Sequence, residues 1–144
     1  IEIVYPVHPN PNVIEPAREL LADHERIHLI DPVGYLDLVT SLAAAALVLT
    51  DSGGIQEEAP AFGVPVLVLR EVTERPEGVE AGVAELVGTN RDLILERSRA
   101  ALTRSTSHLA GTNPYGDGRA GARIADIVVS DLLRRTRATE DWGE

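Results

Sequence analysis

The 144-residue sequence has no lysine, no cysteine and no methionine, and very few aromatic residues. All thirteen of its basic residues are arginines, which excludes a Schiff-base lysine and a Walker-type phosphate-binding lysine. Without cysteine there is no disulfide, thiolate nucleophile or cysteine zinc site, and a chain with no need of disulfides suits a reducing cytoplasm. Positive charge is scarce: the net charge of -10 argues against a nucleic-acid binder, because phosphate backbones are gripped by clustered Lys and Arg. No apolar run reaches membrane-spanning length and no charged-then-apolar leader opens the chain, so the reading is a soluble, cytoplasmic protein with no membrane partner. There is no internal repeat, and no G-x-G-x-x-G follows the first apolar run, which leaves a nicotinamide-dependent oxidoreductase a distant reading.

What is present is an alternation. "IEIVYPV", "RIHLID", "ALVLTD", "VPVLVLR" and "GVAELVG" read as short strands. Between them lie "NPNVIEPARELLADH", with apolar Val13, Ala17, Leu20 and Leu21 at helical spacing, and "PVGYLDLVTSLAAA", where Pro32 suits the entry to a helix. "TNRDLILERSRAALTR" follows with Thr89 or Asn90 as its cap, and "RAGARIADIVVSDLLRRTR" ends the series with Arg134, Arg135 and Arg137 crowding a helix C-terminus. The unbroken apolar runs at 46–51 and 64–70 are the pattern of strands covered on both faces. Together these predict an α/β fold: a Rossmann-like open parallel sheet with helices on both faces, in one domain over 1–137. Residues 138–144, with Trp142, read as a flexible tail. "REVTERPEGVEAG" and "SHLAGTNPYGDG" are Gly/Pro-rich loops of the kind that gather ligands at the carboxyl ends of strands.

The densest chemistry follows the third strand, in "TDSGGIQEEAP". Where a buried strand hands over to a helix, first-turn N–H groups and the helix dipole favour an anion. Gly53 and Gly54 remove side chains that would hold a phosphate off the backbone, and Ser52 adds a hydroxyl donor, so a diphosphate fits. An ordinary helix cap followed by a permissive turn is the competing reading of the same residues. Glu58, one turn beyond Gly54, is placed to accept hydrogen bonds from ribose hydroxyls, or else joins Glu57 in stabilising the helix N-terminus by about 0.3–1 kcal/mol each. Arg75, in "TERPE", could fork onto the same diphosphate or be held in a surface ion pair by its neighbours Glu74 and Glu77.

"TDSGGIQEEAP", "GVPVLVLR", "TERPE", "AGVAELVGT" and "NPYGDG", preceded in order by "YPVHPNPNV" and "IDPVGYL", closely resemble the C-terminal domain of the bacterial non-hydrolysing UDP-N-acetylglucosamine 2-epimerases. The resemblance implies a two-domain GT-B enzyme that interconverts UDP-GlcNAc and UDP-ManNAc. It does so by eliminating UDP across C1–C2 to a bound 2-acetamidoglucal and adding it back with C2 protonated on the other face, with no redox cofactor and no metal. Carried over by position, Ser52, Gly53 and Gly54 match the phosphate-binding turn, Glu58 the ribose ligand and Arg75 a further UDP contact. The uracil is expected between Val33 and Leu38, where family members often carry Gln in place of Val33, so the base would be read by backbone amides. His8 resembles a residue that in some members lines a second, allosteric UDP-GlcNAc site; a histidine at a strand end also has purely structural uses.

The resemblance places the family's acid and base carboxylates in an N-terminal domain and its active-site histidine in an H-R-x-E-type motif upstream of the second strand of the C-terminal domain, to which Ile1 corresponds. This chain would then be roughly the last two-fifths of a member, without catalytic residues of its own and inactive alone. An apolar flank left open by the absent N-terminal domain would favour self-association, whereas complete members are generally homodimers. Two other readings use the same residues: the donor domain of a GT-B glycosyltransferase, and a stand-alone nucleotide-binding module acting through a partner.

Overall fold

A computed structural model describes residues 1–103 and 113–143. Arg104 and residues 107–112 of the second Gly/Pro-rich loop lie outside the described residues. The chain divides into two compact units, Ile1–Ser41 and Leu42–Glu144, where the sequence suggests a single domain over 1–137.

In the first unit, β1 (Ile3–Pro6) and β2 (Ile27–Ile30) pair in parallel, with Ile3 opposite Ile27 and Pro6 opposite Ile30. They are joined through α1 (Pro11–Leu21), which starts where Asn10 Oδ1 accepts the Asn12 N–H at 3.0 Å and Pro11 supplies a preset φ. Helix α2 (Tyr35–Ala44) begins three residues beyond Pro32, its first bond running from the Leu38 N–H to the Gly34 carbonyl at 3.0 Å. Pro32 therefore precedes the helix instead of opening it.

The second unit is built on β3 (Val48–Thr50), β4 (Val66–Val68) and β5 (Ala84–Leu86), parallel and in the order β3-β4-β5. The central strand carries the core: Val66, Leu67 and Val68 are all buried, as an unbroken apolar run in a middle strand requires. On β3 only Val48 and Thr50 are buried, and Leu49 is 46 % exposed, so that run is covered on one face alone. A short α3 (Gly53–Glu58) and a 3-10 turn (Ala59–Phe62) lead from β3 to β4. The reversal is closed by Gly63 in the left-handed region, at a φ of 67°. Helix α5 (Arg91–Thr103) is capped by Asn90, whose Oδ1 accepts the N–H groups of Asp92 and Leu93, each at 3.0 Å.

Three features depart from the pattern read in the sequence. Among the described residues the strands pair as two parallel sheets; apolar runs mark a strand as belonging to a parallel ladder without naming its neighbours. Within the "REVTERPEGVEAG" loop, Pro76 and Glu77 start a five-residue helix, α4 (Pro76–Glu80). The last helix, α6 (Ala120–Leu133), stops at Arg134, which takes a left-handed φ of 52°. The Arg134 and Arg135 N–H groups close this end on the carbonyls of Asp131 and Ser130, so the three arginines lie beyond the helix, not in its last turn. Past it, Asp126 Oδ2 accepts the N–H groups of Ala138 and Thr139 at 2.8 and 2.7 Å, which ties the start of the expected flexible tail back to α6.

Candidate functional site

The turn after β3 is fixed from inside. Thr50 is buried, and its Oγ1 accepts the Ser52 N–H at 3.0 Å while its carbonyl accepts the Leu69 N–H of the neighbouring strand. Ser52 is extended and gives its carbonyl to the Gln56 N–H, yet its hydroxyl makes no cap bond to the helix. The ordinary cap reading of this serine therefore fails locally: the side chain that should satisfy first-turn N–H groups is not used for that purpose.

Around the two glycines stand the charged groups. The position a Cβ would take on Gly54 lies 3.9 Å from Ser52 Oγ and 4.0 Å from Glu58 Oε1, so hydroxyl and carboxylate flank the same bare backbone. Glu58 Oε2 is buried and has no hydrogen-bond partner among the described residues. An unpaired buried carboxylate oxygen costs free energy, and a donor arriving from outside would relieve it. On the other side, the Cβ position of Gly53 lies 3.7 Å from Arg75 Nη2. The structure thus brings Ser52, Gly53, Gly54, Glu58 and Arg75, 23 residues apart at the extremes, around one turn.

Arg75 is held by a partner that sequence reasoning assigned elsewhere. Its Nε donates to Glu57 Oε1, and this bond is the first cause of a guanidinium pKa raised above its ordinary value. Nη1 donates to the Glu74 carbonyl at 3.1 Å, while the Glu74 carboxylate pairs with Arg70 at 2.8 Å. The side-chain pairing of Arg75 with Glu74 or Glu77 is replaced by Glu57, which neutralises one of the two adjacent acids beside the turn. Buried Gln56 went unremarked in the sequence: its Oε1 accepts from Thr73 Oγ1 at 2.6 Å, and Thr73 Oγ1 in turn accepts the Arg75 N–H at 3.0 Å. The signal available was the Thr-x-Arg spacing, which suits a side-chain-to-backbone turn.

The other residues singled out by sequence belong to the first unit. Val33 and Leu38 are half-buried at the start of α2. His8 is exposed, and its Nδ1 accepts the Asn10 N–H at 3.2 Å, a local bond at the entry to α1. Among the described residues no helix is long and apolar enough to cross a membrane.

Residues 1–129 match the family model described as UDP-N-acetylglucosamine 2-epimerase. The chain belongs to this family. The UDP-N-acetylglucosamine 2-epimerase of Escherichia coli K12 is 51 % identical over 136 residues, covering 92 % of this chain and 36 % of the relative. An S. aureus MnaA–UDP co-structure superposes with a TM-score of 0.87 at 44 % identity, covering 99 % of this chain and 40 % of that one. The Methanocaldococcus jannaschii UDP-GlcNAc 2-epimerase in complex with UDP-GlcNAc and UDP gives 0.75 at 37 % identity, covering 89 % and 35 %. The α/β architecture is that of these GT-B epimerase structures, and the chain spans about a third of the length of the curated relatives it matches.

Proposed function

We propose that this chain is the UDP-binding C-terminal portion of a non-hydrolysing UDP-N-acetylglucosamine 2-epimerase. The observation that carries the reading is the convergence on one turn of the Ser52 hydroxyl, which makes no cap bond, two bare glycines, the Arg75 guanidinium and a buried Glu58 oxygen with no partner among the described residues. The turn and Arg75 take the diphosphate, and Glu58 accepts from a ribose hydroxyl. Val33 and Leu38 for the uracil, and His8 for a regulatory site, rest on family resemblance alone.

In the reaction, a base removes the C2 proton of UDP-GlcNAc as the C1–O bond breaks, the electron pair forming the C1–C2 double bond and the leaving UDP keeping its own. Re-addition of UDP at C1 with protonation of the opposite face at C2 gives UDP-ManNAc. Retaining the leaving group between the two halves is the task assigned to this chain, since interactions with the diphosphate strengthen as its charge develops. The proton-transfer groups come from an N-terminal domain, and the complete enzyme acts as a cytoplasmic homodimer.

Calorimetric titration with UDP, beside a variant carrying Ser52→Ala and Glu58→Ala, tests the site. The wild type binds, and the variant loses about 100-fold in affinity, two charge-assisted or buried hydrogen bonds being removed. Failure of both the folded chain and a longer protein carrying it to bind UDP at millimolar concentration overturns the reading. Turnover of UDP-GlcNAc without an acceptor, by that longer protein, separates an epimerase from a glycosyltransferase.

A further inference from the structure

The motif Asn113–Gly118 has no part in the site as described, yet its geometry leads there. Asn113 folds the loop on itself, Nδ2 donating to the Gly116 carbonyl and Oδ1 accepting the Tyr115 N–H, each at 3.1 Å. Gly116 and Gly118 take positive φ values of 118° and 75°, which lets the chain turn twice within three residues. The base of the loop is fastened by Asp117, whose two oxygens accept from Arg123 Nη1 and Nη2 at 2.7 and 2.9 Å. What this anchored loop presents is Tyr115.

The Tyr115 phenol is seated against α4. A Cβ on Gly78 would collide with its hydroxyl oxygen, so the phenol occupies the space that a side chain would take. The hydroxyl donates a long hydrogen bond, 3.5 Å, to the Arg75 carbonyl. Burial pushes the phenol above its ordinary pKa, with the Gly78 N–H opposing, so it remains a neutral donor at physiological pH.

Arg75 is therefore held at its main-chain N–H and carbonyl and at two guanidinium nitrogens, Nε and Nη1. Its N–H is held by Thr73, itself tied to buried Gln56; its carbonyl is met by Tyr115; its Nε is held by Glu57. Nη2 lies toward Gly53, with Cζ beside it. Resting on the reading of that turn as a diphosphate site, we infer that Tyr115 and Thr73 are positioning residues that hold Arg75 preorganised for the diphosphate, one gripping its carbonyl and the other its amide. A guanidinium fixed before the ligand arrives loses less rotamer freedom on binding, and the gain appears only with ligands that carry the phosphates.

Two near-isosteric variants test this: Tyr115→Phe, which keeps the ring and removes the hydroxyl, and Thr73→Val, which removes the oxygen that bridges Gln56 and the Arg75 N–H. Amide hydrogen exchange at residues 73–78 is read first by NMR, without ligand. Each variant is expected to speed exchange at Arg75 by about threefold or more. Affinities for UDP and for uridine are then titrated by chemical shift in each variant and in an Arg75→Ala background. UDP affinity should fall by about threefold to tenfold and uridine affinity stay within about twofold, with no further loss once Arg75 is gone. Unchanged exchange in both variants overturns the inference whether or not UDP binds. So does an equal loss for uridine and UDP, or a loss that persists in the Arg75→Ala background. If exchange responds as expected but neither the chain nor a longer protein carrying it binds UDP, the diphosphate reading of the turn fails, and the ligand half of this inference with it.

Discussion

Two carboxylates in the second unit, Asp126 on α6 and Glu58 at the end of α3, are treated in opposite ways. Asp126 Oδ2 accepts three hydrogen bonds, from the Ala138 N–H, the Thr139 N–H and the Thr139 hydroxyl, and Arg135 stands 4.0 Å from Oδ1. Glu58 Oε2 is buried with none among the described residues. Around Asp126 the chain meets its polar demands internally; one nitrogen there, Arg137 Nη2, is left over, but its Nε donates to Thr139 and its Nη1 pairs with Asp141. Around the Gly53 turn, the Ser52 hydroxyl makes no cap bond, and the Glu58 oxygen and the Gln56 Nε2 have no partner among the described residues. A cluster that satisfies itself holds the fold, whereas a cluster with several unmet groups around bare backbone is arranged for something from outside.

If that contrast is right, substitutions in the two clusters should separate binding from stability. Glu58→Gln lowers UDP affinity by about tenfold, a lost charge-assisted hydrogen bond, while leaving the melting temperature unchanged or raising it, because a neutral amide costs less to bury without a partner than a carboxylate does. Parallel calorimetry and thermal melts check this. A melting temperature that falls together with the affinity would mean that Glu58 is a structural residue after all. Asp126→Ala should behave in the opposite sense: the melt drops by several degrees as three hydrogen bonds to residues 138 and 139 are lost, and UDP affinity stays within about twofold. Weakened binding in that variant would erase the distinction between the clusters.

How much of this could be read in the sequence follows from how local each signal is. Ser52, Gly53, Gly54 and Glu58 lie within two helical turns of one another, so motif and helical spacing were enough to group them. Asn90 as a cap and β4 as a covered strand are equally local patterns, and the structure has both. The pairing of Glu57 with Arg75 crosses 18 residues, and that of Tyr115 with Arg75 crosses 40. Nearest-neighbour reasoning offered Glu74 and Glu77 instead, because an arginine between two acids always has an adjacent partner on paper. The split into two sheets was likewise out of reach, since strand order is a property of the ladder and not of any one strand. Residues 138–141 look like a tail by composition, and only the distant Asp126 and Arg123 reveal where they are held.

The smallest effect concerns acid, and it sharpens the contrast from the structural side. Asp126 has its carboxyl pKa lowered, first by the Thr139 N–H and then by the Thr139 hydroxyl, and Asp117 has its own lowered, first by Arg123. In each case the folded chain titrates below the unfolded one, so the unfolded chain binds more protons in the interval between the two values. The stabilisation is fully present above the ordinary aspartate range and is lost as pH falls through it toward the folded values. Melting temperature measured against falling pH should therefore drop below that range in the wild type. In Asp126→Asn, which keeps an acceptor but cannot titrate, the drop should be shallower, with Asp117 supplying the remainder. Identical acid limbs in the two proteins would show that the hydrogen bonds to Thr139 do not depend on the charge of Asp126, and that the neutral side chain serves this cluster equally well.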